Sequence, residues 1–279
     1  MDIKEELLTL RKEIFLTGYA GGAAHLASAF SMVEIMYALY LNGVLRYRAE
    51  EPLWEDRDRL IISKGHGSLA VYAVLARAGF FSREELRTFC RPHSRLGGEP
   101  LFGETPGIET TTGSLGHGLP FATGIALALK QDKPDLRTYV IIGDGECQEG
   151  SMWEAAMTAA KYRLENLIAV MDCNGLQKMG SVQDILGIDN WKTRWESFGW
   201  DVVEADGHSV PELTETLLRE NHTGKPRLIL ANTVKGKGSS LMENNPKWHW
   251  RMPNKRERKK FMEELHISEE EIAQCKELT

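Results

Sequence analysis

The sequence predicts an α/β fold: a mostly parallel central sheet with helices on both faces. Three observations predict it. Short apolar runs, Leu60-Ile61-Ile62, Val140-Ile141-Ile142, Leu167 to Met171 and Arg227 to Asn232, alternate with helix-like segments. Two of the runs break directly into turn residues, Gly143-Asp144-Gly145 and Asp172-Cys173-Asn174-Gly175. No internal repeat or low-complexity linker interrupts the alternation.

Taken in order, the first segment, MDIKEELLTLRKEIF, reads as an amphipathic helix rather than a signal peptide, because it lacks an apolar core and a cleavage site. Leu60-Ile61-Ile62 reads as a strand entering a Gly65-His66-Gly67 loop, and Ser68 to Ala78 as the helix after it. Ser82 to Arg91 is expected as a short helix, with Ser82 as N-cap and Glu85 completing a capping box. Leu119 to Leu129 is an apolar, alanine-rich helix that starts at a glycine loop. Its loose N-terminal amides and positive dipole end favour an anion. Val202 to Ala205 and Arg227 to Asn232 are later strands. Beyond Trp250 the chain turns strongly charged, with helices expected over Arg256 to Glu264 and Ser268 to Leu278. The expected division is therefore a domain over 1–250 and a charged helical extension over 251–279, a surface element or a link to a partner. The basic stretch Lys255 to Lys260 is read as a solvated helix face.

Composition sets limits. With 279 residues, 42% hydrophobic and 27% charged, the chain is long enough for one large α/β domain. No apolar run approaches the ~20 residues that span a bilayer, so no membrane is expected. A net charge of -6 argues against nucleic acid as the main partner. Cys90, Cys147, Cys173 and Cys275 show no spacing for zinc or a disulfide framework, and a reducing cytoplasm is the expected home.

The stretch from Tyr139 to Leu176 carries the chemistry. Parallel strands joined by a crossover helix bring their carboxyl ends side by side, which places Asp144 and Asn174 together above the sheet edge. One carboxylate, one amide oxygen and a nearby backbone carbonyl suit magnesium, a hard cation that leaves further positions to phosphates and water. The flanking glycines let backbone approach a diphosphate closely.

These residues resemble the motif of thiamine diphosphate enzymes, a GDG followed some thirty residues later by an Asn. Glu149-Gly150 and Asn174-Gly175-Leu176 narrow the resemblance to the transketolase family. Three further segments match that family in order: Ser63-Lys64-Gly65-His66-Gly67-Ser68, Glu109 to Gly118, and Lys235 to His249. Near the start, Ala24-His25 stands where the family has its first catalytic histidine. The match spans about Leu7 to Trp250.

The resemblance implies the thiamine diphosphate-binding fold, with 1–250 as its diphosphate and metal domain. It implies that Asp144, Asn174 and the Leu176 carbonyl hold a divalent ion, magnesium or else calcium or manganese. The same resemblance assigns Gly143, Gly145, Gly113, Ser114, Leu115, His66 and His249 to the cofactor, with Glu149 near a subunit contact. His25, His66 and His249 become candidate catalytic residues, with His25 and Glu99 facing the substrate. The implied reaction moves a two-carbon ketol unit from a ketose, phosphorylated or modified, to an aldose through a cofactor-bound carbanion.

Family members are usually more than twice this length and carry a second half, with the Glu that activates the aminopyrimidine; no matching segment follows Trp250. The implied protein is the N-terminal subunit of a split transketolase, completed by a separate C-terminal chain in a two-plus-two heterotetramer. Two departures bear on substrate, a sugar or a small keto compound. Ala24 replaces a Gly, and Glu99 stands where the family has a sugar-contacting His. Either the donor is not a standard ketose phosphate, or Glu99 points away. Other readings are a decarboxylase component for 2-oxo acids, a deoxyxylulose-phosphate synthase, and a regulatory subunit that has lost catalysis.

Overall fold

Five strands form one sheet in which every neighbouring pair is parallel. They are β1 (Arg59–Ile62), β2 (Thr138–Gly143), β3 (Leu167–Cys173), β4 (Asp201–Asp206) and β5 (Arg227–Asn232), in the spatial order β1-β2-β3-β5-β4. The structure is a computed structural model and describes residues 2–22, 24–187 and 190–276.

The central strands read as near-continuous apolar runs because both faces are covered. On one face Ile61, Val140, Ile142, Ala169, Met171 and Leu228 pack under the helices Gly118–Asp132, Gly150–Lys161 and Trp191–Ser197. On the other, Leu60, Ile62, Tyr139, Ile141, Val170 and Ile229 meet the helices Ile3–Gly21, Val33–Leu41, Ser68–Arg77 and Val210–Leu218. Side chains alternate between faces along each strand, so one run serves both cores. All the strand carboxyl ends gather at one edge, where the loops after β1, β2, β3 and β5 meet.

Two local expectations need correcting. The segment after Ser82 is a 3-10 helix, Arg83–Thr88, and the Ser82 side chain makes no capping hydrogen bond. Glu85 is drawn instead to the Arg95 guanidinium, with one oxygen at 2.8 Å from Nη2, so the capping box does not form. The charged tail, expected as an extension, carries apolar residues that join the main core: Phe261, Leu265, Ile267 and Ile272 are buried there. Phe261 stacks on Phe15 of the first helix at 4.9 Å. The second tail helix is Glu269–Lys276, and Leu278 lies outside the described residues. Among the described residues no helix is long and apolar enough to cross a membrane.

Candidate active site

The tips of β2 and β3 lie in register, Gly143 opposite Asp172, and the chain turns at once beyond each. That turn buries Asp144 and aims its carboxylate across to the neighbouring loop. Oδ1 accepts the Gly145 N–H at 2.7 Å and Oδ2 accepts the Gly175 N–H at 2.6 Å. Among the described residues no cation pairs with it. Burial first, and the Asp172 charge second, push its carboxyl up to about 6. Lys64 offsets this only as the smallest of the contributions, so a buried carboxylate held by two amides and without a direct cationic partner could hold a cation.

Beside it, Asn174 donates Nδ2 to Asp172 Oδ2 at 3.1 Å, and its Oδ1 accepts the Leu176 N–H at 3.1 Å, which leaves that oxygen one further lone pair. The Leu176 carbonyl accepts a hydrogen bond from the Lys235 ammonium at 2.8 Å, so a positive charge already stands at the third expected metal donor. Gln177 Nε2 is buried at the same turn without a hydrogen-bond partner and lies 3.0 Å from where a Gly145 side chain would begin. An orphaned amide donor beside an uncompensated carboxylate fits a metal-bound anion.

Sequence reasoning missed a buried scaffold behind these donors. Asp172, fully buried, pairs with the buried Lys64 ammonium and accepts hydrogen bonds from Ser31 Oγ at 2.6 Å and from Thr233 Oγ1. Burial alone would raise the Asp172 carboxyl, but Lys64 and these hydroxyls bring it down to about 2. A further missed residue is Glu146, whose Oε1 accepts from Gly116 N at 2.8 Å and from Ser63 Oγ, and whose Oε2 accepts from Gly143 N at 3.0 Å. Ser63 Oγ in turn accepts from Gly118 N at 3.0 Å. One carboxylate thus ties the loop after β1, the glycine loop and the tip of β2 together. Lys64 and Glu146 both stand inside the motif segments; a charged residue beside glycines in an apolar context was the available signal.

The glycine loop needs its glycines. Gly116 has φ +88°, and a side chain there would begin 2.6 Å from Glu149 Cβ. Gly113, Ser114 and Leu115 form the outer rim, with Ser114 and Leu115 exposed. The Glu99 carboxylate is turned onto the Gly113 backbone rather than away from the loop, and burial raises its pKa. Its position follows from two anchors, Ser68 Oγ donating to the Gly98 carbonyl at 2.7 Å and Tyr72 Oη donating to the Gly97 carbonyl at 3.0 Å. Glu149 caps the helix Gly150–Lys161, is exposed, and makes no ion pair among the described residues.

Three histidines from three distant segments converge over these tips. Ring centroids are 5.5 Å apart for His25 and His66, 5.2 Å for His25 and His249, and 5.8 Å for His66 and His249. The loop after β5 makes this possible, because Gly236 N donates to Ala27 O at 3.0 Å and Arg11 Nε to Lys237 O at 2.8 Å. Burial, followed by nearby lysine charges, lowers His25 and His249 to about 4; burial and Lys64 take His66 well below its usual value. All three are therefore neutral at pH 7, each with one N–H and one lone pair. Lys235 Nζ lies 3.3 Å from His249 Nδ1. An ammonium can only donate, so Nδ1 accepts and Nε2 carries the proton.

Comparison with known proteins places this geometry. Residues 19–272 match the family model described as transketolase, thiamine diphosphate binding domain. The chain is 42% identical over 255 residues to an apulose-4-phosphate transketolase subunit of Actinobacillus succinogenes, covering 91% of this chain and 92% of that protein. It is 43% identical over 223 residues to a 6-deoxy-6-sulfo-D-fructose transketolase subunit of a Clostridium species, covering 80% and 81%. Among solved structures, Campylobacter jejuni transketolase superposes with a TM-score of 0.85 at 28% identity, covering 99% of this chain and 46% of that one. Pichia stipitis transketolase in complex with sedoheptulose-7-phosphate gives 0.88 at 26% identity, covering 100% and 44%. The chain thus spans about half the length of the solved transketolases it matches.

Proposed function

The chain belongs to the transketolase family, as its thiamine diphosphate-binding domain, and on that premise we propose that it is the N-terminal subunit of a two-chain transketolase. The reading rests on one observation above all: three neutral histidines converge over two strand tips that present Asp144, Asn174 and the Leu176 carbonyl. The reaction is transfer of a two-carbon ketol unit from a ketose to an aldose. Two relatives of matching length are named for apulose 4-phosphate and 6-deoxy-6-sulfo-D-fructose. A modified, anionic ketose is the substrate class they suggest.

In this reading Asp144, Asn174 and Leu176 O, through the lone pair that Lys235 leaves unused, hold a divalent ion, magnesium by its preference for oxygen, and through it the cofactor diphosphate. Bound thiamine diphosphate would supply the nucleophilic carbon and the electron sink. The chain's own residues do the rest. Glu146 and Ser63 fix the glycine loop, and Gln177 offers its unused N–H. Lys64, held by Asp172, and Lys235 supply positive potential beside the phosphates. Burial, then the Lys64 charge, lowers Lys235 to about 8, so it remains an ammonium at pH 7. His249 presents Nε2–H to a substrate oxygen, while His25 and His66 donate to or accept from the hydroxyl and carbonyl oxygens. Glu149, exposed and without an ion pair among the described residues, is in this proposal a contact for the second subunit.

The Glu that activates the aminopyrimidine comes, in this proposal, from a separate chain, in a two-plus-two assembly. Steady-state assays of the assembly carrying His25→Ala or His249→Ala test the roles. Large losses in ketol transfer are expected, and near-normal activity in both variants contradicts the assignment.

A further inference from the structure

Trp250 is exposed over 61% of its surface, and it is the one exposed tryptophan among the described residues. A lone exposed apolar side chain needs no explanation. This one is held in place over the histidine cluster. Its ring lies 6.1 Å from that of His25 at an interplanar angle of 28°, while His249 meets His25 edge-on from 5.2 Å. His25 thus stands between the two consecutive residues His249 and Trp250.

The segment bearing them is anchored on both sides of the pair. Trp248 is buried and meets Phe261 edge-on at 5.3 Å. The Arg251 guanidinium lies 4.2 Å from the Trp248 ring centroid and pairs with Glu257. Anchored on both sides, the chain at Trp250 turns its indole outward, extending the histidine floor toward solvent. The surrounding groups are polar: three imidazoles, Lys235 and the exposed Lys178, whose charge acts on His25 and His249.

We propose that Trp250 is a specificity-determining residue, the apolar wall against which the carbon chain of a polyol substrate lies. This rests on the transketolase reading above. A sugar chain has a hydroxyl edge and a C–H face; the imidazoles suit the first, and the electron-rich indole face suits the second. Trp250 acts on substrate rather than on the diphosphate anchor, because among the described residues its ring contact is with His25 and it makes no hydrogen bond to Asp144 or Asn174.

The test uses the assembled holoenzyme with Trp250→Ala and Trp250→Phe. Trp250→Ala is expected to lower kcat/KM for the ketose about tenfold through KM, the scale of one apolar substrate contact. Trp250→Phe restores most of the loss, and calorimetric affinity for thiamine diphosphate stays at the wild-type value in both. An unchanged KM in Trp250→Ala overturns the proposal and leaves the transketolase reading intact. Dissociation of Trp250→Ala into free chains by sedimentation also overturns it, making the residue a subunit contact. Absence of thiamine diphosphate binding in the wild-type assembly overturns both readings.

Discussion

The Asp144 carboxylate accepts the backbone N–H of Gly175 at 2.6 Å, bridging two strand tips that are adjacent in the sheet and thirty-one residues apart in sequence. The bridge fixes the direction of the carboxylate before any ligand arrives. Its other oxygen is held by Gly145, so both lone-pair faces are oriented by backbone. Pre-orientation of this kind lowers what a cation must reorganise on binding.

Lys64→Met would strand the Asp172 charge in a fully buried position. The expected loss is about 3–5 kcal/mol, the cost of an uncompensated buried charge. Urea unfolding of the single variant and of Lys64→Met/Asp172→Asn measures it. The double variant should recover part of the loss, and equal stability of wild type and Lys64→Met would remove the scaffold role.

Glu146→Gln keeps the shape but turns one acceptor into a donor. Gly116 N, Gly143 N and Ser63 Oγ all donate to Glu146, so one donor is left unpaired in the interior. A loss of about 1–3 kcal/mol is expected in thermal or chemical unfolding. Stability equal to wild type would show that the loop is held by other means.

Two glycines make a paired comparison. At Gly116 a Cβ meets Glu149 Cβ at 2.6 Å and Ser151 Oγ at 2.7 Å in a left-handed conformation; at Gly150 it meets nothing within 4 Å. Gly116→Ala should cost about 1–3 kcal/mol and weaken cofactor binding, while Gly150→Ala should be neutral or slightly stabilising. Melting temperatures of the two variants decide it, and equal values would refute the close approach at Gly116.

Without cofactor, the chain should lose stability as pH falls from about 6.5 toward about 4. An unfolded imidazole titrates at about 6.5, whereas folded His25 and His249 take a proton only near 4. In that window the unfolded chain binds more protons, so stability rises with pH. Folded His66 is lowered as well and acts in the same direction. Asp144 opposes them: its folded value of about 6 lies above the ordinary 3.8, so its own contribution grows as pH falls through 6. Glu99 and Glu146, also raised by burial, oppose them too, whereas Asp172, held down to about 2 against burial by Lys64 and its hydroxyl partners, loses its contribution on acidification and so acts with the imidazoles. The three imidazoles and Asp172 set the expected sign. Unfolding midpoints at pH 7.5 and 5 check the sign, and a midpoint that rises on acidification contradicts it.

Much of the sheet was legible because buried parallel strands must be continuously apolar, and Val140 to Ile142 and Leu167 to Met171 are. The turn residues after them were equally plain. Pairing order was not, since nothing in Val202 to Ala205 or Arg227 to Asn232 says that β5 inserts between β3 and β4. The capping box at Ser82 failed because Arg95, ten residues beyond Glu85, captures that carboxylate through tertiary structure. Periodicity sees only neighbours in sequence. For the same reason Lys64 read as a motif letter, although its partner Asp172 is more than a hundred residues distant. The three histidines were nameable from the family segments, but their neutrality needed burial and the lysines around them.

The most direct test is calorimetric titration of thiamine diphosphate, with and without magnesium, into the chain assembled with its second subunit. Wild-type protein should show saturable binding that requires the divalent ion and disappears with chelator. Asp144→Asn should remain folded and assembled but lose that binding. Undiminished binding by Asp144→Asn, or binding indifferent to the ion, would contradict the account.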